Sequence, residues 1–167
     1  MSKKDIRMKI KSIRYEMPEL LFSQLSSELA GDLEVAIPEA LCDSLGEEIE
    51  VNTNGTLSFE DGRIELSYDE TELTGMDGST TAISFSEDCP SLISMVREGS
   101  VSTALVFEQG KRHRCAYNTP YMPFELCVHT LKVDNKLSTD KTIFIDYIIE
   151  IRGAKAERTK MEITYFE

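Results

Sequence analysis

Apolar and polar residues alternate in short runs along most of this chain, from about Glu47 onward. In one run the apolar residues are Ile64, Leu66 and Tyr68, and the residues between them are polar. The run from 142 to 152 repeats the pattern, with isoleucine at every second position on either side of Tyr147. Because successive side chains of a strand point to opposite faces, this pattern predicts strands with one buried face.

Turn residues divide the alternating region into short strands. The dipeptide Asp61-Gly62, between two alternating runs, is the strongest hairpin signal. The predicted strands lie at Asp5–Tyr15, Glu48–Glu60, Arg63–Glu70, Thr80–Ser86, Ser91–Arg97, Val101–Glu108, His113–Thr119, Phe124–Val133, Thr142–Arg152 and Glu157–Phe166. This order predicts an all-β protein, an antiparallel up-and-down barrel of about 8–10 strands, with a sandwich as the alternative.

The segment 18–46 departs from the strand pattern. Leucines follow Pro18 at helical spacing as far as Gly31, and a second short helix is predicted between Pro38 and Gly46. We therefore predict a short helical insertion after the first strand that packs on the sheet or across a barrel mouth. The length of the chain predicts that residues 1–167 form a single domain.

Residues 56–166 carry motifs of a known family. Three motifs, each weak alone, occur together: the strand at 62–71, the turn Arg97-Glu98-Gly99, and the segment Tyr117-Asn118-Thr119-Pro120-Tyr121 with the alternating strand after it. In this combination the chain resembles the YwiB-like family of unknown function. The resemblance implies a calycin-like (lipocalin-type) β-barrel and leaves the activity open. Two features depart from the family: Met122 stands where a Gly is usual, and 18–46 has no counterpart in its compact form.

Charge and composition limit the classes of partner and the cell compartment that we expect for this protein. The net charge is −12, and an acidic protein repels phosphate backbones, so we expect no nucleic-acid partner. The first strand is basic, whereas Arg63 is the lone basic residue between 15 and 78, so we expect these oppositely charged regions to attract each other. No apolar run is long enough for a membrane span, and no secretory signal follows Met1. With four scattered cysteines expected to be reduced, these features predict a cytoplasmic protein.

The barrel architecture suggests a ligand pocket. An eight- to ten-stranded barrel has either a filled interior or room for one small ligand. The residues predicted to supply polar groups near such a pocket are Tyr68, Arg97, Tyr117 and Tyr121. The alternative is that the tyrosines are barrel-core residues and that Arg97 is a structural ion-pair partner. The predicted inward-facing residues are Ile64, Leu66, Tyr68, Leu105, Phe107, Phe124, Leu126, Val128, Ile145, Tyr147 and Ile149.

The sequence gives only weak signals for a metal site, for acid–base catalysis or for an anion site. If the turn after Thr119 centres on Tyr121, then His113, Cys115, Cys127 and His129 would share one face as a zinc set. A one-residue register shift would instead separate the two pairs, and the strand pattern places Cys127 and His129 outward. Two interpretations are open for the acids Glu125, Asp146 and Glu150: they are either catalytic groups or residues of a solvated strand face. The basic run 111–114 is either a solvated hairpin edge or a site for an anion.

These observations assign no catalytic residue, metal site or cofactor. The leading hypothesis is non-enzymatic binding of a small apolar or amphipathic ligand inside the barrel or at its mouth, with 18–46 as a lid or plug. The alternative is a protein-interaction or homodimer-forming module with a filled barrel. An enzyme that uses buried acids ranks last, and no membrane partner is expected.

Overall fold

The structure is a computed structural model that describes residues 2–16, 46–71, 78–100, 102–118, 123–151 and 155–167. The described residues form ten strands and one short helix, α1. Their bounds are β1 Ser2–Glu16, β2 Glu47–Glu60, β3 Arg63–Asp69, β4 Thr80–Ser86, β5 Cys89–Glu98, β6 Ser102–Glu108, β7 Arg112–Asn118, β8 Pro123–Lys136, α1 Leu137–Asp140, β9 Thr142–Ile151 and β10 Lys155–Phe166. Every predicted strand is present, with ends within a few residues of the predicted ones.

The strands close into an up-and-down barrel. Each strand pairs antiparallel with its neighbour in the chain, and β1 closes the circle by pairing with β10. The barrel prediction is therefore confirmed over the sandwich. Closure leaves none of the ten strands as an unpaired edge, which removes the usual template for edge-to-edge association.

The two ends of the barrel differ in their connections. At one end lie the turns at 61–62, 87–88 and 109–111 and the α1 connection at 137–141, and we call this the hairpin end. We call the other end the loop end; there β1, β3, β5, β7 and β9 finish and β2, β4, β6, β8 and β10 begin. The helices predicted within 18–46 lie outside the described residues, apart from Gly46.

The turn at Asp61-Gly62 is the predicted hairpin. Asp61 has φ +49° and Gly62 has φ +77°, and Glu60 pairs with Arg63. Positive φ at both central residues is the type I′ geometry that matches the twist of a hairpin. The sequence predicts that the eighth strand ends at Val133, but β8 continues to Lys136 and the one-turn helix α1 follows.

Alternating side chains fill the barrel interior. Fully buried residues include Leu66, Phe107, Val128 and Ile145, each predicted to face inward. Ile64 and Ile149 are partly buried against this core, and the side chain of Phe124 lies outside the described part. Burying such side chains supplies the main favourable term for the fold.

Strand β1 carries most of the basic residues that precede 63, and its neighbours carry acids. Lys11 lies 3.1 Å from Glu48 and Lys9 lies 3.7 Å from Glu50, across the β1–β2 ladder. Arg14 on the same strand approaches Glu157 of β10 at 3.7 Å. The oppositely charged regions therefore pair as predicted, although exposed ion pairs contribute little stability.

No helix in the described part of the chain is long and apolar enough to cross a membrane.

Candidate functional site

A row of polar side chains crosses the barrel wall at its loop end. Consecutive cross-strand partners join Tyr68 to Thr81, Thr81 to Arg97, Arg97 to Thr103 and Thr103 to Tyr117. Tyr68, Thr81, Arg97 and Thr103 are all buried, so their side chains face the interior. The side chains of Tyr68, Thr81, Arg97 and Thr103 on strands β3 to β6, together with Glu70 directly after β3, form the loop-end cluster.

Hydrogen bonds connect the centre of the loop-end cluster. Arg97 donates from Nε to Thr81 Oγ1 at 3.1 Å and from Nη2 to Glu70 Oε1 at 3.2 Å. Thr81 Oγ1 donates to the same Glu70 oxygen at 2.6 Å. The backbone N–H of Glu70 is fixed by Ser79 O at 2.8 Å, which holds the carboxylate beside the guanidinium. Nη1 of Arg97 makes no hydrogen bond to any described residue.

This ion pair is removed from solvent. The Glu70 side chain is 1% exposed and that of Arg97 is 10% exposed. Burying a charge in a barrel is unfavourable unless a partner compensates it, and an apolar pair of similar volume is often as stable. The cluster therefore adds little stability compared with apolar side chains of similar volume. This is the physical reason to consider it a functional site.

Tyr68 is kept protonated in this environment. Burial raises its pKa first, and the Glu70 carboxylate raises it further, while Arg97 lowers it in part. Glu70 and Thr81 are the polar side chains close to its hydroxyl. Tyr68 therefore stays a neutral hydrogen-bonding group over the physiological pH range.

A second set of polar groups lies on strands β1, β10, β9 and β8. Arg14 pairs with Thr159, Thr159 with Tyr147, and Tyr147 with Thr130. Burial raises the pKa of Tyr147, and the positive charges of Arg14 and Arg97 oppose that shift. The Thr130 hydroxyl is buried and has no hydrogen-bond partner among the described residues. An unpartnered buried hydroxyl costs stability unless a ligand or water satisfies it.

Two of the four predicted ligand-binding residues, Tyr68 and Arg97, lie in this cluster. Tyr117 lies on the same cross-strand row, but its side chain is outside the described part, and Tyr121 lies outside the described residues. The pairing with Glu70 agrees with the alternative interpretation of Arg97 as an ion-pair partner. Sequence reasoning missed Glu70 and Thr81, although Glu70 continues the inward positions Leu66 and Tyr68 and so carried a usable signal.

The proposed zinc arrangement fails on register. Cys115 pairs with Leu126 and His113 with Val128, one residue away from the register that would join the four side chains. Cys115 faces the core, whereas Cys127 and His129 lie on the outer face, as the strand pattern predicts. No group of three or more His, Cys, Asp or Glu residues within the described ranges converges for a metal ion. The described cysteines, Cys89, Cys115 and Cys127, are free thiols.

Two of the candidate catalytic acids, Asp146 and Glu150, lie on the outward face of β9 and have basic partners. Asp146 accepts two hydrogen bonds from Arg158, at 3.0 and 2.7 Å. Glu150 lies 3.2 Å from His129 and 3.5 Å from Arg112 of the basic run. His129 is 3% exposed rather than at the solvent edge, and burial lowers its pKa. The side chain of Glu125 is outside the described part.

Comparison with known proteins agrees with this fold. Residues 41–163 match the family model described as a domain of unknown function, DUF1934, and the chain belongs to that family. A similar solved structure is the crystal structure of the ywiB protein from Bacillus subtilis, with a TM-score of 0.66 and 16% identity. The match covers 99% of this chain and 94% of that one. The YwiB-like assignment is thus confirmed, whereas a likeness at this identity supports the fold alone. No curated protein matches.

Proposed function

We propose that this protein is a non-enzymatic, cytoplasmic binding protein of calycin-like type, whose ligand is a small, partly apolar molecule. The ligand enters at the loop end and places one polar group against the loop-end cluster. The observation that carries the proposal is the buried Arg97–Glu70–Thr81 network at one end of a barrel whose core is mainly apolar. Ligand sites are typically apolar walls with a few placed polar groups.

The free hydrogen-bonding capacity of the interior defines what the ligand carries. Arg97 Nη1 is a donor without a described partner, and the guanidinium charge is already balanced by Glu70. A neutral carbonyl or hydroxyl therefore suits the site better than a carboxylate, which Glu70 would repel at close range. The Thr130 hydroxyl beside Tyr147 offers a second bonding group.

The test is native mass spectrometry of the protein purified directly from its host, compared with the denatured mass. We expect an added mass of a few hundred daltons that is lost on denaturation. The Arg97→Gln variant should lose this adduct. Arg112→Gln, which removes an arginine from the outer wall, should keep it and serves as the matched control. A bare chain mass for the wild-type protein, with no adduct in any preparation, would contradict the proposal.

The second candidate is a protein-interaction module that forms homodimers. It is favoured by the filled core near the hairpin end and by two exposed apolar side chains, Phe59 and Leu92. A native mass of twice the chain without an adduct would support this candidate over ligand binding.

A further inference from the structure

A broad groove lies over strands β1, β2 and β3, with Thr80, Phe166 and Glu167 also in its lining. Its volume is about 1240 Å³, larger than the roughly 300–1,000 Å³ of a typical small-molecule pocket. The groove is open to solvent, and polar residues make up most of its lining, beside the buried residues Ile6, Met8 and Tyr68. A site of this shape accommodates an extended ligand rather than a compact one.

One cross-strand row forms the floor of the groove. Arg7 of β1 pairs with Phe166 of β10 on one side and with Asn54 of β2 on the other. Asp69 of β3 and Thr80 of β4 continue the row, and they pair with each other. Neighbouring strands are about 4.8 Å apart, so the groove presents a polar side chain at each strand spacing and an aromatic ring at one end.

The polar groups of this row have ion-pairing or hydrogen-bonding capacity that their contacts with the described residues leave unused. Arg7 makes no ion pair with any described residue, whereas Lys4, Lys9, Lys11 and Arg14 of the same strand all do. The side-chain amide of Asn54 likewise has no hydrogen-bond partner among the described residues. Asp69 accepts one bond, from Thr80 at 2.9 Å, which orients its carboxylate and leaves further acceptor positions. The groove therefore holds donors and acceptors ready for a ligand.

The charges in the groove argue against an anionic ligand. Its lining carries three acids, Asp5, Asp69 and Glu167, against Arg7; Glu167 is paired with Lys4 and Lys141, and the protein as a whole carries −12. A phosphate or polyanion is repelled by that field. A bound metal ion is not favoured either, since the acids do not converge within the described ranges.

Phe166 adds an apolar surface to this polar floor. Its side chain is 49% exposed at the end of the row, which is unfavourable for a phenyl ring unless another apolar surface covers it. A sugar ring satisfies both requirements, because its hydroxyls donate and accept while the C–H face of the ring packs on an aromatic ring. We propose that the groove on β1–β3 binds a neutral oligosaccharide, with its hydroxyls on Arg7, Asn54 and Asp69 and one ring on Phe166.

The experiment is a titration of the isotope-labelled protein with maltotetraose and, separately, cellotetraose, followed by backbone amide shifts. We expect saturable shifts at the amides of Arg7, Asn54, Asp69 and Thr80 with at least one of the sugars. Asn54→Ala and Phe166→Ala should each weaken that binding by about fivefold or more. Phe59→Ala removes an aromatic ring of similar exposure at the hairpin end and should leave the binding unchanged.

Three results would overturn the proposal. One is the absence of saturable shifts with either sugar up to its solubility limit. Another is a stronger response of the same amides to an oligolysine peptide, which would make the groove a cation site. The third is a sugar response confined to Thr81, Arg97 and Thr103, which would assign the sugar to the loop-end cluster. Tyr68 lines both sites, but Arg7, Asn54, Asp69 and Phe166, which the proposal places on the sugar, are not in the loop-end cluster. Failure at one site therefore leaves the other testable.

Discussion

The interior of the hairpin end and the interior of the loop end are built from different kinds of side chain. Near the hairpin end, Phe85, Phe107, Ile143 and Ile163 pack with little or no exposure. At the loop end the equivalent inward positions carry a buried ion pair, with threonine and tyrosine hydroxyls around it. The same strands supply both ends, and several change from apolar to polar along their length. In β5, for example, Ile93 and Met95 are followed on the same face by Arg97.

This difference separates what stabilises the barrel from what it can use for recognition. An apolar end contributes to stability in proportion to the area that it buries. A buried ion pair contributes little net stability against an apolar pair of similar volume, and breaking it is costly. The loop end is therefore where this fold gives up stability for hydrogen-bonding groups, and the following predictions test that division.

The largest expected effect comes from breaking the ion pair. Arg97→Met leaves the Glu70 carboxylate buried without a compensating charge, and we expect the free energy of unfolding to fall by about 3–5 kcal/mol. Combining Arg97→Met with Glu70→Leu and Thr81→Val makes the loop end apolar, and this triple variant should return to within about 1 kcal/mol of wild type or exceed it. Urea denaturation measures both. A triple variant as unstable as Arg97→Met would mean that the cluster is primarily structural.

A smaller loss is expected from the hairpin end. Ile143→Ala removes a side chain with no exposure, and we expect a loss of about 3 kcal/mol from the transfer and cavity terms. Leu92→Ala is the matched control, since Leu92 is 38% exposed, and it should stay within about 0.5 kcal/mol of wild type. Equal losses in the two variants would show that the hairpin end is not the stabilising core. For Ile143→Ala, unlike Arg97→Met, no second substitution is expected to restore stability, because the hairpin end has no buried ion pair to remove.

The smallest effect is a difference in alkaline stability. Burial raises the pKa of Tyr68 and of Tyr147 in the folded state. A group with a raised folded pKa contributes stability that is complete below its unfolded pKa, about 10 for tyrosine, and that is lost as the pH rises above it. The double variant Tyr68→Phe, Tyr147→Phe should therefore lose less stability between about pH 9 and 11 than the wild type. Denaturation curves across this range measure the slope, and identical slopes would place the two hydroxyls in contact with solvent.

Strand-level features could be predicted from the sequence because they are local. A period of two in regions such as 63–69 and 142–151 defines the strands and their buried face, and Asp61-Gly62 specifies its own turn geometry. The same alternation predicts that Tyr68 faces inward, whereas Arg97 is predicted only as a polar group near the expected pocket. Their use as ligand contacts is a prediction that the mass measurement tests.

The pairing between distant strands could not be predicted in the same way. The zinc hypothesis depended on whether the β7–β8 register centred on Tyr121, and a shift of one residue places Cys127 and His129 on the opposite face from Cys115. Glu70 becomes a functional candidate only because the β3–β4 and β4–β5 registers bring it to Arg97. The row from Phe166 through Arg7 to Asn54 joins the two ends of the chain and has no local signature.

The sequence by itself determined an all-β barrel, the faces of its strands and the acidic surface, because alternation and charge are properties of neighbouring residues. Only the tertiary structure decided which polar side chains meet. Closure by β1 and β10 and the cross-strand registers are set by the packing of the whole interior. Which register is adopted depends on a difference between two large packing energies. No single segment of the sequence therefore carries enough information to determine it.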